Sequence, residues 1–355
     1  MNTQLLDAVD EAAAQEKLHA LGCTDGLPVI VPTPARVARM VLASGLDGDI
    51  ELGTMGPGHG VATVEKLACA AVMAGCLPDH MPVVVAAARA ACDPVFDLTE
   101  LQATTHCIAP MLVVCGSARA AGGYASGFGL MGPGHRANVC SGRALRLAMM
   151  NIGGARPGES DMAIHGSPAK LSFCFAEDEE SSPFAPLATT FGYDAGAGAV
   201  VVLGVEGPHS VLFSGDADDA AAADALLTLL AAVIANRGSN NSYLGGAAAV
   251  AVVLNPEHAA LLARHGLDRA DIQRALAARA VTPRAELARL NGKMLSGDGD
   301  PVPAVRDAAD IHLLVAGAPG LYSMVMPSWC AGPHGNRAVH APVELGQACE
   351  LPLRG

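Results

Sequence analysis

The sequence predicts an α/β fold, with repeated strand–turn–helix units around a mainly buried sheet and an internal duplication. Short apolar runs are each followed by Pro or Gly and then by a helical pattern, at 27–45, 109–123, 247–266 and, more weakly, 311–325. The strands are continuously apolar rather than alternating, which is typical of a sheet covered on both faces. The pentapeptide MGPGH occurs at 55–59 and again at 131–135, and this indicates the duplication.

The elements follow from these patterns in chain order. Residues 1–21 form an acidic amphipathic helix, and the first unit has its strand at 28–31 with Pro34 in the first turn of the next helix. Each MGPGH copy is predicted to open a long helix that ends at glycine, over 56–76 and 132–154. Further elements follow a long loop at 155–200 and are expected as a strand at 198–205 and helices over 216–236 and around 268–290.

Composition predicts a globular chain. Hydrophobic residues make up 51% of the 355 residues and charged residues 16%, so the surface is fairly apolar and a homo-oligomer is expected. The chain is long enough for one compound unit or for two lobes. If the chain forms two lobes, the main lobe covers 1–194 plus 300–355 and contains the duplicated loops. The second lobe then covers 195–299.

The charge balance excludes some partners. A formal net charge of −13 argues against nucleic acid, because there is no basic field to release counterions. The sequence also lacks a run of Lys or Arg residues of the kind that binds an anionic membrane surface. A small anion remains a suitable ligand, because local amides and a few arginines decide its binding. A small-molecule substrate is therefore the expected partner.

Targeting signals and cysteine spacing predict a cytoplasmic protein. The longest apolar stretch, 225–235, is too short to span a bilayer, and the N-terminus lacks the basic start of a signal peptide. None of the ten cysteines forms a CxxC pair, so we expect buried thiols in a reducing compartment. They stand at positions 23, 69, 76, 92, 107, 115, 140, 174, 330 and 349.

The repeated loops are the first candidate site. Glycine permits close approach of a ligand, proline stiffens the turn, and a loop before a helix directs free amides at a bound anion. We expect the loops to line one common cavity and to bind substrate, although a plain strand-to-helix turn is the alternative. The predicted binding residues here are Gly56, Gly58, His59, Gly132, Gly134, His135, Arg136, Asn138 and Arg143.

The candidate catalytic residues lie elsewhere. In PSWCAGPHGN, Cys330 precedes His334 by four residues, and a thiolate near an imidazolium is a nucleophile, although Cys330 packed beside Trp329 is the alternative. His106 is a further candidate, but its neighbour Cys107 points to the opposite face of an extended strand. Lys170 is a base or a partner for a substrate carboxylate. Glu177 is a further binding candidate.

No cofactor is predicted from nucleotide or hydrolase motifs. The sequence has no GxxxxGK[ST] loop, no GxGxxG that cleanly follows a strand and no GxSxG elbow. A transition metal is the alternative, because imidazole suits zinc, iron or nickel. The candidate ligands are His59, His135 and His334, joined by His106 or His165.

Three sets of stretches resemble a known family. They are DGLPVIVPTPARV, then ATVEKLACAAVMAGC with QATTH, then GRALRLAMMNIGGARPG with GSPAKLSFCFAEDEE. Together they resemble the large region associated with the UGSC-motif (seleno)protein family, well over 22–190 and more loosely over 255–276. In that family a Gly-Ser-Cys segment, sometimes with selenocysteine, is fused to or encoded with the large region. No such segment occurs in this sequence, so the resemblance implies a small Cys- or Sec-containing partner. It also implies Asn in relatives at positions 59 and 135, where this chain has His.

Three functions follow. The first is an enzyme acting on a small polar or anionic metabolite, a lyase or hydrolase that cleaves a C–S or C–N type bond. A Cys330/His334 pair would act with backbone amides that stabilise negative charge. The second is a metal-dependent enzyme that uses His59, His135 and His334. The third is a non-catalytic binding subunit of a two-component, selenoprotein-like system.

Overall fold

The computed structural model describes residues 5–345, and its helices and strands alternate along the chain. The helices are α1 (Glu11–Ala20), α2 (Pro34–Ser44), α3 (Val64–Ala74), α4 (Met81–Ala91), α5 (Leu98–Ala103), α6 (Ser117–Gly122), α7 (Arg136–Asn151), α8 (Ala222–Ile234), α9 (Pro256–Arg264), α10 (Arg269–Arg279) and α11 (Arg284–Asn291). The strands are β1 (Glu51–Met55), β2 (Gly60–Thr63), β3 (Ala109–Cys115), β4 (Cys174–Ala176), β5 (Ala199–Val205), β6 (His209–Leu212), β7 (Val250–Leu254), β8 (Val281–Thr282), β9 (Val302–Pro303), β10 (Ile311–Val315), β11 (Tyr322–Met326) and β12 (Val339–Pro342).

Two four-stranded sheets form the centre of the fold. The first sheet has the strand order β12-β5-β3-β4, and the second has the order β10-β7-β11-β6. Within them only β3 with β4 and β7 with β10 run parallel, and the other neighbours are antiparallel. Two smaller antiparallel pairs, β1–β2 and β8–β9, lie outside these sheets.

The sheets pack face to face between two layers of helices. One apolar cluster joins alternate residues of β3 and β5, such as Met111 and Leu203, to Ala251 and Leu314 of the second sheet. The opposite face of the first sheet packs against α2, α3, α4 and α7. The opposite face of the second sheet packs against α8, α9 and α10. The predicted α/β class is confirmed, and β5, β7 and β10 are buried on both faces, as their apolar runs predict.

The predicted helix starts follow local capping. Thr33 accepts a hydrogen bond from Arg36 N at the start of α2, Pro34 occupies the first turn, and Gly45 ends the helix in the left-handed conformation. Asn255 caps α9 in the same way. The units at 109–123 and 247–266 form β3–α6 and β7–α9 as predicted.

Two predicted units are wrong. Residues 28–31 form no strand, because they pair with no other strand within 5–345. Their backbone bonds run instead from Ile30 N to Met73 O of α3 and from Thr33 N to Val31 O. The segment 311–325 is strand–turn–strand, because the turn after β10 sends the chain back as β11, antiparallel to β7. Glycines with positive φ at 317 and 320 permit this reversal.

The predicted lobe boundaries at 195 and 299 do not follow the sheets. Strand β5 belongs with β3 in the first sheet, whereas β10 and β11 belong with β7 in the second. The second sheet therefore runs from β6 to β11, and β12 returns to the first. Residues 346–355 of the predicted main lobe lie outside the described residues, as does Cys349. No helix within 5–345 has both the length and the apolar character needed to cross a bilayer.

Candidate functional site at the amino edge of the first sheet

The two MGPGH loops lie at opposite ends of α7. His135 directly precedes the helix, whereas Gly58 N donates a 2.7 Å hydrogen bond to Gly153 O, just beyond its last residue. A helix of 16 residues is about 24 Å long. The loops therefore do not face each other across one cavity, and the prediction of a common site between them is wrong.

The two copies also differ in structure. The first is the turn of the β1–β2 hairpin, so the four residues of β2 separate it from α3, whose first turn is capped by Thr63. Gly56 lies against Thr99 of α5, where an added Cβ would be 2.7 Å from the Thr99 Cα. Only the second copy opens a helix directly, and His135 there binds the Phe128 carbonyl through Nε2.

The polar residues that follow the second loop hold the backbone in place. Arg136 donates twice to Gly75 O, and Asn138 bonds both the N–H and the carbonyl of Ala125. Arg143 pairs with Asp25 through two hydrogen bonds of 2.7 and 2.8 Å. These contacts give Asn138 and Arg143 structural partners in place of a substrate.

The four predicted catalytic residues, in contrast, share one edge of the first sheet. His106 precedes β3, Lys170 precedes β4, and Cys330 and His334 precede β12. Because β5 runs antiparallel to β3 and β12, its carboxyl end lies at the same edge, where Val205 bridges to Ser328. We call this the amino edge. Tertiary structure therefore brings together residues separated by more than two hundred positions.

At the amino edge, His334 and Asp97 form a hydrogen-bonded pair. His334 Nδ1 lies 2.8 Å from Asp97 Oδ1. The Asp97 side chain is 1% exposed and that of His334 is 43% exposed. Asp97 also accepts bonds from the backbone N–H groups of His334 and Asn336. The carboxylate thus fixes the ring orientation while the imidazole stays partly exposed to solvent.

Asp97 stands at the N-cap position of α5, but its side chain does not cap the helix. It directly precedes α5, where an aspartate side chain normally accepts a bond from the first turn, yet it makes no such bond. Its carboxylate binds the 331–336 loop instead. Gly332 completes the contact, because an added Cβ would lie 2.6 Å from the carboxylate oxygen at a φ of 92°.

Backbone strain concentrates in the same region. Among residues 5–345, three non-glycine residues have positive φ, namely His59, Asp97 and Asn336, each with φ 54°. Asp97 and Asn336 belong to the contact just described, and His59 lies in the hairpin turn beside α5. Such strain persists where the surrounding structure fixes it, and it concentrates at functional sites. Asn336 is fixed by bonds from its side chain to Gly204 O, Ser328 Oγ and Trp329 O.

Cys330 does not have the properties of the predicted thiolate. It is buried against the second sheet and its helices. Burial raises the pKa of the Cys330 thiol to about 11. A thiol with this pKa is protonated at neutral pH, so the packed-residue alternative fits Cys330 better than the nucleophile.

His106 belongs to a second polar group at this edge, centred on Glu206. The Glu206 carboxylate contacts His106 Nε2 at 3.3 Å and His209 Nε2 at 3.1 Å, and Asn240 binds His106 Nδ1. Burial raises the pKa of Glu206, but the hydrogen bonds from the two histidines outweigh it and hold the pKa at about 2. Both ring nitrogens of His106 are engaged, so it positions neighbours and is not a free base.

Lys170 belongs to a buried ionic group. Its Nζ lies 2.7 Å from Asp161 Oδ1, and Arg146 contacts the other oxygen of the same carboxylate at 2.9 Å. Two cations on one carboxylate leave an excess positive charge beneath the amino edge. Burial lowers the pKa of Lys170, and the Asp161 carboxylate opposes that effect. The ion pair makes Lys170 an unsuitable free base.

Glu177 lies at the opposite edge, where β3 and β4 end. It is fully buried, its Oε2 accepts a bond from Leu187 N, and its Oε1 has no partner among residues 5–345. Burial raises the pKa of Glu177 to about 7. Among the described residues, the ligand atoms of Cys115, Glu177 and Glu179 all lie within 4.8 Å of one another, so they could hold a metal. Arg119 already pairs with Glu179 there.

The predicted three-histidine metal site is wrong. His135 lies at the far end of α7 from the loop that holds His59, and His334 uses Nδ1 for Asp97. His165 is exposed on the 155–200 loop.

Sequence reasoning missed Asp97, Glu206 and His209. One signal for His209 was available, because the letters GPH occur at 207–209 as well as at 332–334. Asp97 carries no such signal, since its partner is 237 residues away.

No family model, curated protein or solved structure matches this chain. The resemblance to the UGSC-motif family, the homo-oligomer, the Cys- or Sec-containing partner and the cytoplasmic location stay predictions.

Proposed function

We propose that this chain is an enzyme that cleaves a C–N or C–S type bond in a small polar or anionic metabolite. Its central group is His334, oriented by Asp97. The proposal is carried by the 2.8 Å contact between Nδ1 of a half-exposed imidazole and a carboxylate that is 1% exposed. A buried carboxylate that fixes one ring nitrogen leaves the other available for proton transfer.

The chemistry follows from this tautomer. Nδ1–H donates to Asp97, so Nε2 carries the lone pair. In hydrolysis, Nε2 takes a proton from water, the water oxygen attacks the electrophilic carbon, and the C–N or C–S bond breaks. In elimination, Nε2 takes a proton from the carbon adjacent to the one that bears the leaving group. A double bond then forms between these two carbons as the leaving group departs. In both routes the imidazolium returns its proton to the leaving nitrogen or sulfur, and Asp97 stabilises the imidazolium meanwhile.

This proposal differs from the Cys/His pair that the sequence predicted. Because burial raises the pKa of Cys330 to about 11, a step through its thiolate has little support. Proton transfer by His334 needs no thiolate. The excess positive charge of Arg146 and Lys170 over Asp161 supports an anionic substrate at the same edge.

The test is a panel of carboxylate-bearing amides, ureido compounds, thioesters and thioethers, assayed for released amine, ammonia or thiol. We expect release by the unmodified chain and a loss of at least ~100-fold in His334→Asn, which removes the base. Asp97→Asn should lose part of the activity, because it keeps the shape but no longer stabilises the imidazolium. Cys330→Ser should remain active.

Two outcomes contradict the proposal. If His334→Asn retains full activity, the proton-transfer role is wrong. If the unmodified chain cleaves no member of the panel, but binds one of them, the non-catalytic binding subunit becomes the better account. Elemental analysis of the same preparation tests whether the chain is instead a metal-dependent enzyme, which would require a stoichiometric metal held by residues other than the three histidines.

A further inference from the structure

A small cavity lies between α2, the end of α3 and the start of α7. Its volume is about 190 Å³. Its buried side is apolar and includes Met40, Val72 and Cys76. Three arginines also line it, namely Arg36, Arg39 and Arg136. No acidic residue is among the described residues that line the cavity.

The three guanidinium groups differ in the partners that they already have within residues 5–345. Arg36 pairs with Glu11 at 2.6 Å and also donates to the Val31 carbonyl. Arg136 is held by two bonds to the Gly75 carbonyl, which fix the side chain without neutralising it. Arg39 has no hydrogen bond or ion pair with any residue in 5–345. Two positive charges therefore remain beside the cavity, in a chain of net charge −13.

The cysteine in the wall adds no competing charge. Cys76 is almost fully buried, and burial raises the pKa of its thiol well above the usual value, so it is neutral at physiological pH. It therefore behaves as a small apolar surface. The cavity thus combines an apolar floor with a positive outer side, and guanidinium groups bind carboxylate and phosphate through paired hydrogen bonds.

We propose that this cavity binds a small organic anion, with its carboxylate or phosphate at Arg39 and Arg136. A short apolar part would lie on Met40, Val72 and Cys76. The site is distinct from the proposed catalytic edge. Arg136 is the first residue of α7, and the loop that contacts α5 lies at the other end of this helix, about 24 Å away. A ligand here therefore acts as an effector or occupies a second binding site.

Calorimetric titration with butyrate and with n-butyl phosphate tests this proposal, and the tighter of the two identifies the anionic group. We expect saturable binding that weakens about tenfold or more in Arg39→Gln and in Arg136→Gln, because each removes a charge-assisted hydrogen bond. Butylammonium and butanol should not compete. Arg274→Gln is the matched control, since Arg274 is an exposed arginine on α10 that pairs with Asp271.

Three results would overturn the proposal. They are no saturable binding of either anion, equal binding by butanol, and equal loss in Arg274→Gln. Because Arg39 is exposed and unpaired, its replacement should leave the fold intact, which thermal unfolding checks. The activity panel for His334 is independent of this titration, so the two proposals can fail separately.

Discussion

Asp97 and His334 form a 2.8 Å hydrogen bond across 237 residues of chain. The same carboxylate accepts backbone bonds from His334 and Asn336, so one buried side chain orders the loop and orients the ring. The contact ties the start of α5 to the segment that leads into β12. It thereby fixes the 331–336 loop at the amino edge of the first sheet.

Asp97→Ala should destabilise the fold because it leaves several donors of the 331–336 loop without their acceptor. We expect a loss of about 3 kcal/mol in the free energy of unfolding, measured by urea denaturation. Asp216→Ala, in an exposed turn, serves as the control and should change stability little. Equal effects in the two variants would contradict the role given to Asp97.

Asp161→Asn should be more damaging than Lys170→Met. The first leaves Arg146 and Lys170 buried without a carboxylate, whereas the second keeps the Arg146–Asp161 pair. Removing the shared partner of buried charges costs about 3–5 kcal/mol. Urea denaturation of both variants measures the difference, and an equal loss would show that the two cations do not depend on one carboxylate.

The contact between His209 and Glu206 should make stability depend on pH. The hydrogen bond from Glu206 raises the pKa of His209, so the folded state favours its protonated form. That contribution is present below the usual histidine pKa of 6.5 and is lost as pH rises through the raised value. His209→Gln should therefore cost more stability at pH 5.5 than at pH 8.5.

The size of this effect is limited by solvent, and its acid limit is set by Glu206. His209 is partly exposed, so we expect a difference of about 1 kcal/mol or less. Because the pKa of Glu206 is about 2, its own contribution is lost only as pH falls towards that value. Unfolding curves of both proteins at the two pH values measure the difference. A larger cost at the higher pH would contradict the assignment.

Cys330 should resist alkylation. With a pKa of about 11, its thiolate fraction near neutral pH is about 300-fold below that of an ordinary cysteine, and burial slows access further. Mass spectrometry after iodoacetamide treatment measures the rate, and the urea-unfolded chain provides the reference for the same residue. Rapid modification in the folded chain would restore the nucleophile hypothesis.

Local signals in the sequence predicted much of the fold. The apolar run at 199–205 forms β5, Pro34 and Thr33 start α2, and Asp268 starts α10. These elements depend on hydrogen bonds and side-chain contacts within a few residues. The strand prediction for 28–31 was wrong because a strand needs a hydrogen-bonded partner strand. The apolar residues of the segment do not indicate whether such a partner lies nearby.

The sequence by itself determined the α/β class, most of the helices and the residue types from which the site would be built. Tertiary structure alone decided which of them meet. It placed the two MGPGH loops at opposite ends of α7, and it joined Asp97 to His334. The physical reason is that strand pairing and layer packing depend on contacts between apolar faces that are far apart in the sequence. When these faces are buried together, polar residues from distant segments come into contact, and no local sequence pattern predicts which ones.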